Sequence, residues 1–166
     1  MSIRSAILED WEGISRLLTQ LEYPGTAGFI RSKLERLLND PAETLLVWAE
    51  PPAPLARSPA PSESPAPSEP PSAPPGPSTI LGFLSLHFIP QIALEGDFAR
   101  ISYFAVDDEV RSHGIGRQLE VTATRLARER RCTLMEVHCH TRRTRAHEFY
   151  VRQGWTESPK YLIKRL

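Results

Sequence analysis

The sequence has few cysteines, no long apolar run and no excess of charge of either sign. Two cysteines, Cys132 and Cys139, are too few for a disulfide framework, so two free, mostly buried thiols are expected. No apolar run approaches the roughly 20 residues that a membrane-spanning helix needs. Met1-Ser2-Ile3-Arg4-Ser5 also lacks the basic start and apolar core of a secretory signal, so a soluble, cytoplasmic protein with no membrane partner is expected. Lys and Arg number 20, as do Asp and Glu, and this zero formal net charge argues against a dedicated nucleic-acid binder. At 166 residues and 40% hydrophobic composition, the chain suits one domain spanning 1–166.

The neutral total hides an asymmetry. Residues 101–166 hold 13 Lys/Arg against 8 Asp/Glu, while residues 1–100 hold 7 against 12. A locally basic half fits a polyanionic small ligand, although arginines that merely solvate helix faces give the same count. Between Pro51 and Ser78 lie 12 of the 16 prolines, interleaved with Ala and Ser, without one aromatic residue. Such a segment cannot bury enough apolar surface to offset its ordering entropy, so 51–78 reads as a disordered Pro/Ala/Ser-rich insertion, a spacer between two strands.

Periodicity orders the rest. Ser2 to Ile7 is a short strand, and Trp11, Ile14, Leu17, Leu18 and Leu21 recur at helical spacing up to Pro24-Gly25. Ile30, Leu34, Leu37 and Leu38 mark a second helix, stopped by Asn39-Asp40-Pro41. Strands are predicted over Thr44 to Glu50, Thr79 to Ile89 and Arg100 to Val106, followed by a helix from Ile115 to Arg130. Thr133 to Cys139 alternates as a strand, Thr144 to Gln153 forms a helix, and Lys160 to Arg165 is a last strand. The order β, α, α, β, β, β, α, β, α, β describes an α/β (α+β) mixed sheet with helices packed on it.

The segment Val106-Asp107-Asp108-Glu109-Val110-Arg111-Ser112-His113-Gly114-Ile115-Gly116-Arg117 joins a strand end to the opening of an amphipathic helix. Gly114 and Gly116 let successive backbone N–H groups face one point, and the helix adds its unpaired amides and positive dipole end. This makes a pyrophosphate cradle, with Arg111 and Arg117 placed to add charge-assisted contacts. Glycines also serve tight turns for steric reasons alone, and the pair by itself leaves both readings open. No Gly-Lys-Ser/Thr follows, and the third glycine of a dinucleotide fingerprint is missing.

Arg111-Ser112-His113-Gly114-Ile115-Gly116 resembles the Arg/Gln-x-x-Gly-x-Gly/Ala signature of the GNAT superfamily of acyl-CoA-dependent N-acetyltransferases. Ala146-His147-Glu148-Phe149-Tyr150-Val151-Arg152-Gln153-Gly154-Trp155 is similar to that family's Ala-x-x-x-Tyr-x-x-x-Gly-Phe segment, with Trp155 in place of phenylalanine. The resemblance implies a mixed, mostly antiparallel six- to seven-stranded sheet with helices on both faces. It also implies acetyl-CoA as cosubstrate, no metal, and a small-molecule or peptide amine as acceptor, while sheet edges of this fold often pair into a homodimer.

In the family the acyl-pantetheine lies along a splayed strand, here matching Tyr103 to Val106. The resemblance therefore implies that a backbone N–H among Phe104, Ala105 and Val106 polarises the thioester carbonyl, and that the amine attacks directly. It implies cradle contacts from Arg111, Ser112, His113, Gly114, Ile115, Gly116 and Arg117, and it makes Tyr150 the general acid for the departing thiolate. A core aromatic is the alternative for Tyr150. Arg143 stands where the family often has asparagine, and cofactor contact or plain solvation both suit it. Arg100-Ile101-Ser102-Tyr103-Phe104-Ala105-Val106 offers no carboxylate to act as base, which leaves Glu136, His138 and His87 as candidates. A non-catalytic acyl-CoA-binding regulatory module is the rival reading. Cys139 sits between His138 and His140, but neighbours on a strand point to opposite faces, which disfavours a nucleophile or metal site.

Overall fold

A computed structural model describes residues 2–51, 78–158, 162 and 164. Among these residues five strands, against the six to seven that the resemblance implies, form one sheet in the order β1-β2-β3-β4-β5: β1 Ser2–Ser5, β2 Glu43–Glu50, β3 Thr79–Ile89, β4 Phe98–Val106 and β5 Leu134–Val137. Neighbours are antiparallel except β4 and β5, which run parallel and are joined by a helical crossover. The helices are α1 Trp11–Gln20, α2 Ile30–Leu38, α3 Ile115–Glu129 and α4 Thr144–Arg152.

Both faces of the sheet are covered, and β2 shows why its sequence is apolar throughout. Leu45, Val47 and Ala49 pack under α1 and α2 with Ile14, Leu17, Ile30 and Leu34. Leu46 and Trp48, on the alternate positions, pack under α3 with Leu119, Ala123 and Ala127. Gly82 of β3 sets how closely α3 approaches. A Cβ there would lie 3.1 Å from Leu119 Cδ1 and 3.2 Å from Ile115 Cγ2, so the first turn of α3 rests directly on the β3 backbone.

Strand β4 carries one residue too many. Ser85 pairs with Tyr103 and Leu86 with Ile101, which leaves Ser102 as a bulge. The bulge reverses side-chain parity. Ala99 and Ile101 face α3, yet Ala105 faces α1, while Phe104 and Val106 turn to the α3 side. Pairing with β5 stops at Ile101↔Val137, the last step before the bulge. This is why β5 ends at Val137 rather than at the expected Cys139: the strand it pairs with bends away. Residues 52–77 of the insertion, and all but Leu162 and Lys164 of the expected last strand, lie outside the described residues.

Two ties hold the layers in register. Arg4 grips the buried Asp10 through two bonds of 2.7 and 2.8 Å, anchoring β1 to the start of α1. Asp107, buried just past β4, accepts from Arg16 and Gln20 of α1 and, at 3.1 Å, from its own loop at Glu109 N, while Arg16 also reaches Ile80 O at 2.7 Å. Burial alone would raise the Asp107 pKa, but the Arg16 hydrogen bond, the Glu109 N–H, the Gln20 amide and the Arg16 charge outweigh it and lower it.

A group with a depressed folded pKa contributes stability above its unfolded value of about 3.9, and that contribution is lost as pH falls through the folded value. Asp107→Asn is expected to destabilise the fold at neutral pH by about 1–3 kcal/mol. Denaturant titrations across pH should show that difference shrinking below about pH 4. Glu50 pairs with Thr79, so β2 and β3 form a hairpin whose loop runs from Pro51 to Ser78. Replacing that loop by Asn-Gly is expected to keep the thermal midpoint within about 4 °C, the shift that roughly 1 kcal/mol produces in a domain of this size. A larger fall would show that the loop contributes to stability.

Candidate active site

The bulge and the early end of β5 open a gap along β4 from Ser102 to Val106, where main-chain groups pointing away from β3 find no strand partner among the described residues. Phe104, Ala105 and Val106 lie on this open edge. The α4 helix forms the wall on the α3 side. The Phe104 ring meets Phe149 edge-on at 5.7 Å and Tyr150 at 6.5 Å, and Tyr150 in turn meets Trp155 at 5.4 Å. Local sequence sets this arrangement. Gly154, at φ 86°, ends α4 in a left-handed turn, closed by Trp155 N donating to Tyr150 O at 3.0 Å, which folds Trp155 back over Tyr150. The indole N–H then donates to the buried Glu120 carboxylate of α3 at 3.0 Å.

At the far end of the gap the chain turns into α3. Asp107 caps the short turn Asp108–Val110, Ser112 and Gly114 take left-handed φ values of 69° and 81°, and Gly114 caps α3. His113 Nδ1 lies 3.1 Å from Val110 O and 3.0 Å from Arg111 O; both are acceptors, so Nδ1 carries the proton and pins the loop. The amides of the first turn of α3, Ile115, Gly116 and Arg117, have no intrahelical acceptor. A Cβ built on Gly114 meets nothing within 4 Å, so the space above it is open, as a pyrophosphate cradle requires. Gly116 differs: a Cβ there would touch Phe149 Cε2 at 3.4 Å, so its lack of a side chain also lets α4 pack on α3.

The three arginines singled out in the sequence have different surroundings. Arg111 is paired with Asp108, and Arg117 is exposed. Arg143 is taken up at the C-terminal end of α1, where its Nη2 donates to Leu21 O at 2.6 Å and lies 3.5 Å from Glu22 Oε2. Burial pushes the Tyr150 phenol above its ordinary value, Cys139 and Glu120 add to the rise, and Arg143 opposes it. The place of Tyr150 among the rings of Phe104, Phe149 and Trp155 is what buries it.

Of the candidate bases, His87 lies 2.6 Å from Glu43, Glu136 is bonded to Arg100, and His138 Nε2 is 3.7 Å from Glu136. Cys139 lies beyond β5, contrary to the strand expected there, with its thiol raised by burial against the lowering charge of Arg143. Both cysteines are free. Two concavities of about 340 and 390 Å³ flank α2 and share no residue with the cradle or the gap. No helix among the described residues is long and apolar enough to cross a membrane.

Sequence alone missed the Ser102 bulge, the left-handed Ser112 and the tie from Arg16 to Asp107. None has a local signature, since each arises from pairing with distant residues.

The sequence matches the family described as Acetyltransferase (GNAT) family over residues 18–155. A search of curated protein sequences returns no match. Among solved structures, the chain is similar to the tetramutant of the BH1408 protein from Bacillus halodurans, at 18% identity, 100% coverage of both chains and a TM-score of 0.75. It is similar to ribosomal-protein-alanine N-acetyltransferase from Brucella melitensis, at 16% identity, 100% coverage of both chains and a TM-score of 0.66. It is also similar to the aminoglycoside acetyltransferase meta-AAC0020 from an uncultured soil metagenomic sample, at 18% identity, covering 99% of this chain and 95% of that one, with a TM-score of 0.70. At these identities the structures speak for the fold, whereas the family match spans most of the sequence. The chain belongs to the GNAT family of acetyltransferases.

Proposed function

We propose that this chain transfers the acetyl group of acetyl-CoA to a primary amine by direct attack. The observation that carries the reading is the coincidence of three features: an open β4 edge, an amide-lined turn at its end and a phenol on its wall. Ser112 to Gly116 would hold the pyrophosphate through backbone N–H groups, with His113 fixing the loop and Arg111 and Arg117 adding charge. The open edge at Phe104, Ala105 and Val106 would pair with the pantetheine arm, and one of its N–H groups would donate to the thioester oxygen as that oxygen gains charge.

In the reaction a nitrogen–carbon bond forms at the acetyl carbon, the carbon–sulfur bond breaks, and the amine's extra proton leaves to a base or to water. Tyr150, beside Phe104 of the open edge, would be the residue that meets the departing sulfur. Its raised pKa keeps the hydroxyl protonated throughout the working range, so it acts as a hydrogen-bond donor whose proton follows the developing charge on sulfur. Cys139, kept as a thiol by burial, has no part as a nucleophile in this scheme.

Thiol release from acetyl-CoA, measured with a panel of amines, tests the reading. An amine-dependent signal is expected, and its absence with acetyl-CoA still bound would favour the regulatory module instead. Tyr150→Phe is expected to lower kcat by about 100-fold while leaving acetyl-CoA affinity nearly unchanged. Little change in kcat would remove Tyr150 from the chemistry. Because the Tyr150 pKa is raised, the wild-type rate should show no alkaline loss from this residue up to about pH 10, the ordinary phenol value.

A further inference from the structure

The C-terminal end of α1 holds an unusual residue. Tyr23 N donates to Leu18 O at 2.9 Å and Glu22 N to Thr19 O at 3.0 Å, a helix stop whose left-handed position normally takes glycine or asparagine. Glu22 occupies that position at φ 68°. Glutamate brings no backbone advantage there, so its side chain is what distinguishes the site. That carboxylate reaches across to the loop after β5, where one oxygen, Oε2, faces both Arg142 and Arg143.

We propose that Arg142 and Arg143 form the seat for an anionic group carried by the acceptor amine, a seat that Glu22 fills when no acceptor is bound. The inference rests on the acetyl-transfer reading above and names the acceptor's chemistry. Two guanidiniums face one carboxylate, so the group is net positive and repels a purely cationic acceptor. Arg143 is preorganised by its 2.6 Å bond to Leu21 O, as a recognition site needs. Glu22 and Arg142 are 58% and 63% exposed, so their pair is screened by solvent and readily exchanged for a ligand anion.

The seat also lies beside the gap. Tyr23, next to Glu22, meets Tyr103 of the open β4 segment edge-on at 5.5 Å, and Arg143 is close enough to Tyr150 to lower its phenol pKa. Tyr103 and Phe104 leave β4 on opposite faces, so this seat opens on the α1 side while Tyr150 stands on the α3 side. An acceptor with its anion on the arginines would therefore approach from the face opposite the α4 wall.

The test uses four amines with the full chain: β-alanine and taurine, which carry a carboxylate or a sulfonate, propylamine with an apolar end, and putrescine with a second cation. Binding is read by ligand-observed NMR without acetyl-CoA, and acetylation by thiol release. β-Alanine, taurine or both should bind, and should be preferred over propylamine in kcat/KM by at least about tenfold. Arg142→Gln should collapse that preference while KM for acetyl-CoA moves by less than about twofold. Glu22→Gly, which suits the left-handed backbone, should tighten binding of the anionic amines by removing the resident competitor. A preference for propylamine or putrescine, an anion preference that survives Arg142→Gln, or no binding of either anionic amine would overturn the proposal. Anion-selective binding without thiol release would uphold the seat and count against acetyl transfer. Transfer to propylamine or putrescine in preference would do the reverse.

Discussion

A single inserted residue, Ser102, organises the molecule. Without it β4 would run straight, keep its pairing with β5 to the end and present one set of side chains to each face. With it the strand bends, the parallel ladder stops after Ile101, and Phe104 turns toward α4 while Tyr103 turns toward the α1 loop. The same step that opens the gap thus furnishes both of its walls. A bulge is an economical means of doing this, because it re-aims side chains without changing the core packed on either side of it.

The gap is useful only if the loop beyond β4 is held still, and buried polar contacts do this. Asp107 gathers Arg16, Gln20 and the Glu109 amide at the point where β4 ends, so α1, β4 and the turn that leads toward α3 share one carboxylate. On the other wall, Glu120 receives the Trp155 indole and the Thr124 hydroxyl, fixing the end of α4 against α3. Removing either carboxylate would leave part-buried donors without their acceptor, a cost that adds to the loss of the hydrogen bonds themselves.

Much of this was legible in the sequence. Helical spacing in Ile14, Leu17 and Leu18, and the apolar run of β2, specified which faces are buried, and the structure matches those elements closely. The turn around Gly114 was legible because only glycine takes a left-handed backbone at little cost. Ser102 was not, since Ile101-Ser102-Tyr103-Phe104-Ala105-Val106 is apolar on both parities and a slip of one residue leaves no trace in its pattern. Glu22 and Ser112 were missed for a related reason: each adopts a backbone its residue type disfavours, held there by its surroundings. Arg143 was singled out from its place in a motif, but its hydrogen bond to Leu21, 122 positions away, had no signature in the sequence. Two of the three described left-handed residues other than glycine, Glu22 and Ser112, lie at the two ends of the gap, while the third, Arg131, ends α3 away from it.

The central claim is that the turn at Gly114 and the open β4 edge hold acetyl-CoA, and isothermal titration of the full chain with acetyl-CoA tests it most directly, run beside Gly114→Trp. The open space above Gly114 predicts one saturable site in the parent and a loss of affinity of at least about tenfold in the variant. No binding by the parent, or equal binding by a variant that remains folded, would contradict the account.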